Sequence, residues 1–258
     1  MSAPKLLAID AGNTNIVFAV FDGDRLLHQW RAATVTNRTA DEYAVWLTQL
    51  MGLKGLASAE VGAAIIACVV PQALHELKQL CRRYFACEAQ VVGEGLDIGI
   101  EVRVERPGDV GADRLVNAIA AHHRHAGWLI VIDFGTATTF DVVADDGGYE
   151  GGVIAPGVNL SLEALDRAAA KLPRIAVQKP QRVIGSGTVT AMQSGVYWGY
   201  VGLVEGLVRR IKGEIDRPAM TIATGGLAPL FAGATEAIDV VEPDLTLHGL
   251  SRLHLLNR

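Results

Sequence analysis

Two short stretches bring together residue types that do chemistry as a set. Residues 9–15 read IDAGNTN and residues 132–139 read IDFGTATT. In each, an apolar run ends in an aspartate, Asp10 or Asp133, and a glycine stands two positions on. Glycine and small hydroxyl or amide residues let backbone N–H groups reach a phosphate without steric obstruction. An aspartate ahead of such a turn can hold a cation beside that phosphate, directly or through water. One copy says little, because Asp, Gly and Asn make ordinary hairpins for conformational reasons. Two copies at corresponding strand ends point to a polyphosphate gripped from two sides.

A third stretch, GADR at Gly111–Arg114, lies where the loop RPGDV meets the helical run DRLVNAIAAHHRHAG. Two readings stand here. In one, Asp113 caps the helix start and Arg114 is a solvated first-turn residue. In the other, Asp113 is a general base aimed at a substrate hydroxyl and Arg114 forks onto a substrate carboxylate.

The elements that must position these residues can be read along the chain. Strands are expected at Lys5–Asp10, Asn15–Phe21 and Arg25–Arg31. Thr39 and Glu42 form a capping box ahead of the helix YAVWLTQLMGL. The β-branched run Ala63–Val70 reads as a buried strand, PQALHELKQLCRRYF as a helix opened by proline, and EAQVV as a strand. The second half starts again in the same way. WLIVIDF, TFDVV and YEGGVIA are expected strands, followed by helices at Leu160–Leu172 and Thr188–Ile215, a strand at Met220–Ala223 and C-terminal helical pieces. Laid on one another, the halves match Asp10 with Asp133 and Gly12 with Gly135, and the DG turns fall one residue out of step. The pattern implies an α/β protein of two duplicated domains, residues 1–126 and 127–258, with a nucleotide cleft between them.

Bulk composition narrows the classes. Half of the 258 residues are hydrophobic and the net charge is −5. With no basic block, binding to nucleic acid through phosphate neutralisation is not expected. No apolar run is long enough to span a bilayer, and the first residues enter a strand without a signal-peptide pattern. Cys68, Cys81 and Cys87 have neither disulfide-framework nor zinc spacing, which fits a reducing cytoplasm. His122, His123 and His125 stand at a helix end, where cationic residues are ordinary. Gly195, Gly199, Gly202 and Gly206 share one face of the long helix. Each costs about 1 kcal/mol relative to alanine, so the face is expected to meet another element closely.

Taken together, the blocks resemble the superfamily of acetate and sugar kinases and actin, and within it type III pantothenate kinases. IDAGNTN, GADR, IDFGTATT, GGVIAPG at Gly151–Gly157, IGSGTVTAMQSG at Ile184–Gly195 and TGGLA at Thr224–Ala228 carry the resemblance in order and spacing. It implies two ribonuclease H-like domains and ATP-dependent phosphorylation of pantothenate, with ATP and Mg2+ at the site. It further implies that Asp10, Ala11, Gly12, Asn13, Thr14, Asn15, Ile16 and Val17 line the ATP phosphates and that Thr136 contacts them from the second loop. Gly111, Ala112, Asp113 and Arg114 would contact pantothenate together with Thr188, Asp113 being the catalytic base. Asp133 would bind a monovalent cation, K+ or NH4+, and TGGLA would approach the adenosine. A homodimer is implied, with the glycine-lined helix as its contact.

Two positions depart from the pattern. Seven residues before Gly111 the family commonly has a tyrosine that hydrogen-bonds pantothenate, and here Val104 stands there. The family's IGxNT reads IGSGT, with Gly187 in place of the asparagine and one helix-entry amide lost. A kinase for another small hydroxy acid or sugar, and a nucleotide-binding regulator without catalysis, remain alternative readings.

Overall fold

The computed structural model describes residues 4–168, 173 and 175–258. In the first half, β1 (Lys5–Ala11), β2 (Asn15–Asp22) and β3 (Arg25–Ala33) form an antiparallel meander. Then come α1 (Ala40–Gly52), β4 (Val61–Cys68), α2 (Pro71–Tyr84), β5 (Ala89–Val91) and α3 (Ala112–Arg124). The second half contains β6 (Trp128–Phe134), β7 (Ala137–Val143), β8 (Tyr149–Pro156), α4 (Val158–Ala168) and α5 (Thr188–Ile215). It continues with β9 (Ala219–Thr224), α6 (Ala228–Ala232), β10 (Val240–Val241) and α7 (Leu245–Leu256). Residues 169–172 of the helix expected at Leu160–Leu172 lie outside the described residues.

The duplication is explicit in the sheets. One sheet has the order β3-β2-β1-β4-β5 and the other, read from its opposite edge, β8-β7-β6-β9-β10. In each, the first two strands pair antiparallel and the fourth and fifth join in parallel. The one-residue offset of the DG turns has a physical form as well. Asp22 pairs with Arg25 across a tight turn with Gly23 at φ +59°, whereas the second turn runs from Ala144 to Gly148 with Gly147 at φ +89°.

Local sequence explains why the helices form where they do. The Thr39 hydroxyl caps α1 and Glu42 returns the bond to the Thr39 N–H at 2.8 Å. On α2, Ala73, Leu77, Leu80 and Cys81 are buried at helical spacing against β4 and β5. Full burial of one such leucine is worth roughly 1.5–3 kcal/mol. The entry to α5 lacks an amide at Gly187, yet the Thr190 hydroxyl accepts the Gly187 N–H at 3.1 Å and donates to its carbonyl at 3.0 Å.

The chain forms two compact units. The first comprises residues 1–101, 105–120 and 245–258, and the second residues 102–104 and 121–244. This partition differs from the expected boundary at residue 126 because α7 carries Leu247, Leu250 and Leu253 into a core with Leu6 and Ala8 of β1, Ile65 of β4 and Ile119 of α3. Residues 102–104 are tied to the second unit by β-pairing of Val102 with Tyr149 and by the Arg103 N–H bond to the Tyr149 carbonyl, 2.8 Å.

The glycine face of α5 corrects one expectation. A Cβ on Gly195, Gly199 or Gly202 would meet nothing within 4 Å, so none of the described residues approaches there. No helix among the described residues is long and apolar enough to cross a membrane.

Candidate active site

In the first unit, β1 delivers Asp10 half-buried to the end of the sheet, beside Val17 of β2 and Ala67 of β4. Ala11 pairs with Ile16, and the Gly12 N–H closes the turn on the Asn15 carbonyl at 3.0 Å. Asn13 and Thr14 form an exposed tip. Ala11 and Ile16 are buried in the core, which leaves only their backbone for any contact with a ligand. No local sequence signal marks the brace behind this turn. Thr34, just past β3, donates its hydroxyl to the Gly12 carbonyl at 2.6 Å and its N–H to the Thr14 carbonyl at 3.0 Å. Only the register of β3 on β2 brings it there.

Cys68 stands opposite Ala11 in the sheet. Burial pushes its thiol up from the usual value, and the nearby Asp10 charge pushes the same way.

The GADR residues are half-buried at the start of α3. Asp113 Oδ1 accepts the Arg114 N–H at 2.9 Å and lies where a side chain on Gly111 would stand, 2.6 Å from that absent Cβ. The glycine therefore leaves the space that the carboxylate fills. One N–H bond uses only part of a carboxylate's capacity of about four lone-pair sites, so the group can still take a proton.

In the second unit, Asp133 pairs with Thr139 of β7 and Thr224 of β9. The Gly135 N–H closes the turn on the Ala137 carbonyl at 3.0 Å, and Thr136 is exposed. Two glycines crowd the back of this turn. A Cβ on Gly157 would overlap the Thr136 carbonyl oxygen, and one on Gly225 would stand 2.6 Å from Asp133 Oδ1 and 2.7 Å from both N and O of Phe134. Gly225 of TGGLA has φ +88°, and its close backbone approach is to β6. Behind the strands, the fully buried Asp141 accepts the Tyr149 hydroxyl at 2.7 Å and the Thr139 hydroxyl at 3.0 Å.

Thr188 is exposed at the first turn of α5. Val104 lies against Gly151, its Cγ1 3.5 Å from where a Cβ would be. The structure thus groups Asp10–Val17 with Gly111–Arg114 in one unit, and Asp133, Thr136 and Thr188 in the other. His125 is engaged by Glu242 at 2.6 Å, and the described residues contain no cluster of three or more His, Cys, Asp or Glu able to hold a metal.

Comparison with known proteins shows the family and the fold. The family model described as type III pantothenate kinase matches residues 6–210. A type III pantothenate kinase of Paramagnetospirillum magneticum is 63% identical over 253 residues, covering 98% of this chain and 97% of the relative. Among solved structures, a putative Baf family transcriptional activator from Campylobacter jejuni matches with a TM-score of 0.62 at 16% identity, covering 97% of this chain and 98% of the other. A putative 2-dehydro-3-deoxygalactonokinase from Sinorhizobium meliloti matches with a TM-score of 0.59 at 16% identity, covering 96% and 95%. At such identities the two structures speak for the fold alone, that of the duplicated ribonuclease H-like domains.

Proposed function

The chain belongs to the type III pantothenate kinase family, and on that premise we propose how its residues transfer the γ-phosphoryl group of ATP to pantothenate. The product is 4'-phosphopantothenate, the first intermediate on the way to coenzyme A. The observation that carries the residue assignment is the pair of aspartate-ended hairpins in matching sheets, together with a carboxylate at the start of α3.

The backbone from Asp10 to Val17 and the exposed Thr136 hold the ATP phosphates. Arg114 forks onto the pantothenate carboxylate, and Gly111, Ala112 and Thr188 complete the pantothenate contacts. The pantothenate hydroxyl oxygen attacks the γ-phosphorus, the bond to the β,γ-bridging oxygen breaks, and ADP leaves with that electron pair. The transition state is loose, so Asp113 chiefly orients the hydroxyl and receives its proton late.

Cations fit the donors present. Asp10 would offer a hard oxygen ligand to a magnesium ion, which would supply charge neutralisation for the ATP phosphates. Asp133 would hold K+ or NH4+, its carboxylate close against Gly225, where a side chain would collide with Asp133 Oδ1. Without a cation, a second carboxylate near the triphosphate would repel it.

A homodimer belongs to the same reading, supported by the open glycine face of α5. Gly199→Leu is expected to shift the protein toward monomers in analytical ultracentrifugation. An unchanged sedimentation coefficient would put the contact elsewhere. A cytoplasmic location accords with the free thiols of Cys68, Cys81 and Cys87.

An ADP-release assay tests the function. ADP is expected to appear only when pantothenate is added. Release with another hydroxy acid or sugar but not with pantothenate would favour a different kinase, and no release at all a nucleotide-binding regulator.

A further inference from the structure

We propose that the C-terminal helix α7 is a positioning element for the reaction, acting through Gly249 and Thr246 on the helix that bears Asp113. The inference rests on the reading of Asp113 as the base. Val116 and Asn117 stand three and four residues beyond Asp113, one helical turn along the same side of α3. Against that turn α7 sets a glycine and a hydroxyl.

A Cβ on Gly249 would overlap the Val116 carbonyl oxygen, and it would stand 2.6 Å from Val116 Cγ1 and 3.0 Å from the carbonyl carbon. The two helices therefore meet backbone to backbone, at a distance only glycine allows. Close by, Thr246 Oγ1 donates to Asn117 Oδ1 at 2.7 Å, and Asn117 is only 1% exposed. A buried amide oxygen requires a donor, so this bond sets where α3 stops along its axis while Gly249 sets its spacing.

The brace is itself anchored. At the far end of α7, His254 Nδ1 pairs with Gln90 Oε1 at 2.7 Å, and Asn257 exchanges bonds with the Asp97 backbone at 2.9 and 2.8 Å. Leu247, Leu250 and Leu253 share a core with Leu6 and Ala8 of β1, the strand that ends in Asp10. One helix thus touches both the element leading to Asp10 and the element leading from Asp113. A base must stand within hydrogen-bond reach of its proton, and a displacement of about 1 Å can cost on the order of 100-fold in rate.

The test compares Thr246→Val, Thr246→Ser and Gly249→Ala with Asp113→Asn in the full-length protein, measuring kcat, both KM values and the melting temperature. Thr246→Val and Gly249→Ala are expected to lower kcat about tenfold or more, with the KM for ATP unchanged, at temperatures where both remain folded. Thr246→Ser, which keeps the hydroxyl, is expected to retain the wild-type kcat. Folded Thr246→Val with wild-type kcat overturns the proposal, as does a Thr246→Ser that falls as far as the valine variant. If Gly249→Ala does not fold, the two Thr246 variants decide. An inactive Asp113→Asn beside a fully active Thr246→Val sinks the positioning role alone. An active Asp113→Asn removes the base assignment and the proposal with it.

Discussion

Ala11 pairs with Ile16 across four turn residues, whereas Phe134 pairs with Thr138 across three. The longer turn has an open tip at Asn13 and Thr14 and a brace behind it from Thr34. The shorter one is pressed from behind by Gly157 and Gly225, which admit no side chain. Strand order and the position of the aspartate are common to both sheets, but the neighbours are not. An open tip can present N–H groups to phosphate oxygens, while the crowded turn sets Gly225 close against its aspartate. The comparison teaches that duplication conserves the frame and that the packing behind each turn sets what its aspartate can hold.

On the proposed reading the units also differ in having, or lacking, a group at the reacting hydroxyl. Only the first is assigned such a group, and Asp113→Asn should break the reaction there. Turnover is expected to fall at least 100-fold, in the range for loss of a general base, while ATP binding by calorimetry persists. Near-wild-type turnover would remove Asp113 from that role.

The packing difference is sharpened by placing the same methyl behind each turn. Gly157→Ala drives a Cβ into the Thr136 carbonyl, at a cost of about 2–3 kcal/mol. In Gly12→Ala the new Cβ would lie 3.2 Å from the Asn15 carbonyl oxygen at an ordinary φ, and about 0.5 kcal/mol is expected. Urea midpoints measure both, and equal losses would erase the distinction between the turns.

The assignment of different cations to the two aspartates comes next. Activity is expected to fall several-fold when sodium replaces potassium at equal ionic strength, and Asp133→Ala should be poorly active and indifferent to which ion is present. A wild-type rate that is the same in both ions would reduce Asp133 to a hairpin residue.

The smallest effect concerns the anchor of α7 in the first unit. Burial, and then the Arg258 charge, push the His254 imidazole below its usual value of 6.5. Its Nε2 accepts from Arg258 Nε at 3.3 Å, which assigns the proton to Nδ1. The folded state thus binds this proton less readily than the unfolded chain. The stabilisation is complete above pH 6.5 and is lost as the pH falls from there toward the folded value. Between pH 7.5 and 5.5 the wild type should lose about 2–4 °C more in melting temperature than His254→Asn. Parallel curves would show that the imidazole does not titrate on unfolding.

Much of this architecture was legible because it is written in local signals. Turn residues bounded β1, β2, β6 and β7, the Thr39–Glu42 box marked the start of α1, and α5 runs from Thr188 to Ile215 as its periodicity predicts. What escaped is tertiary. A two-residue strand such as β10 has no periodicity to read. Thr34 reaches Gly12 only through strand register, and nothing in the sequence of α7 says that it returns to the first sheet. The glycines of α5 suggest a close approach, yet among the described residues nothing approaches Gly195, Gly199 or Gly202. The GADR stretch carried two readings because a helix-start aspartate and a catalytic one look alike, and Asp113 in fact bonds the Arg114 N–H while keeping acceptor capacity.

The central claim is that the phosphoryl group leaving ATP arrives on pantothenate. Phosphorus NMR of a reaction containing the protein, ATP, magnesium, potassium and pantothenate follows that group directly. A phosphomonoester resonance of 4'-phosphopantothenate is predicted to grow in step with ADP, one for one. ADP accompanied by inorganic phosphate and no phosphomonoester, or ATP left intact, would contradict the account.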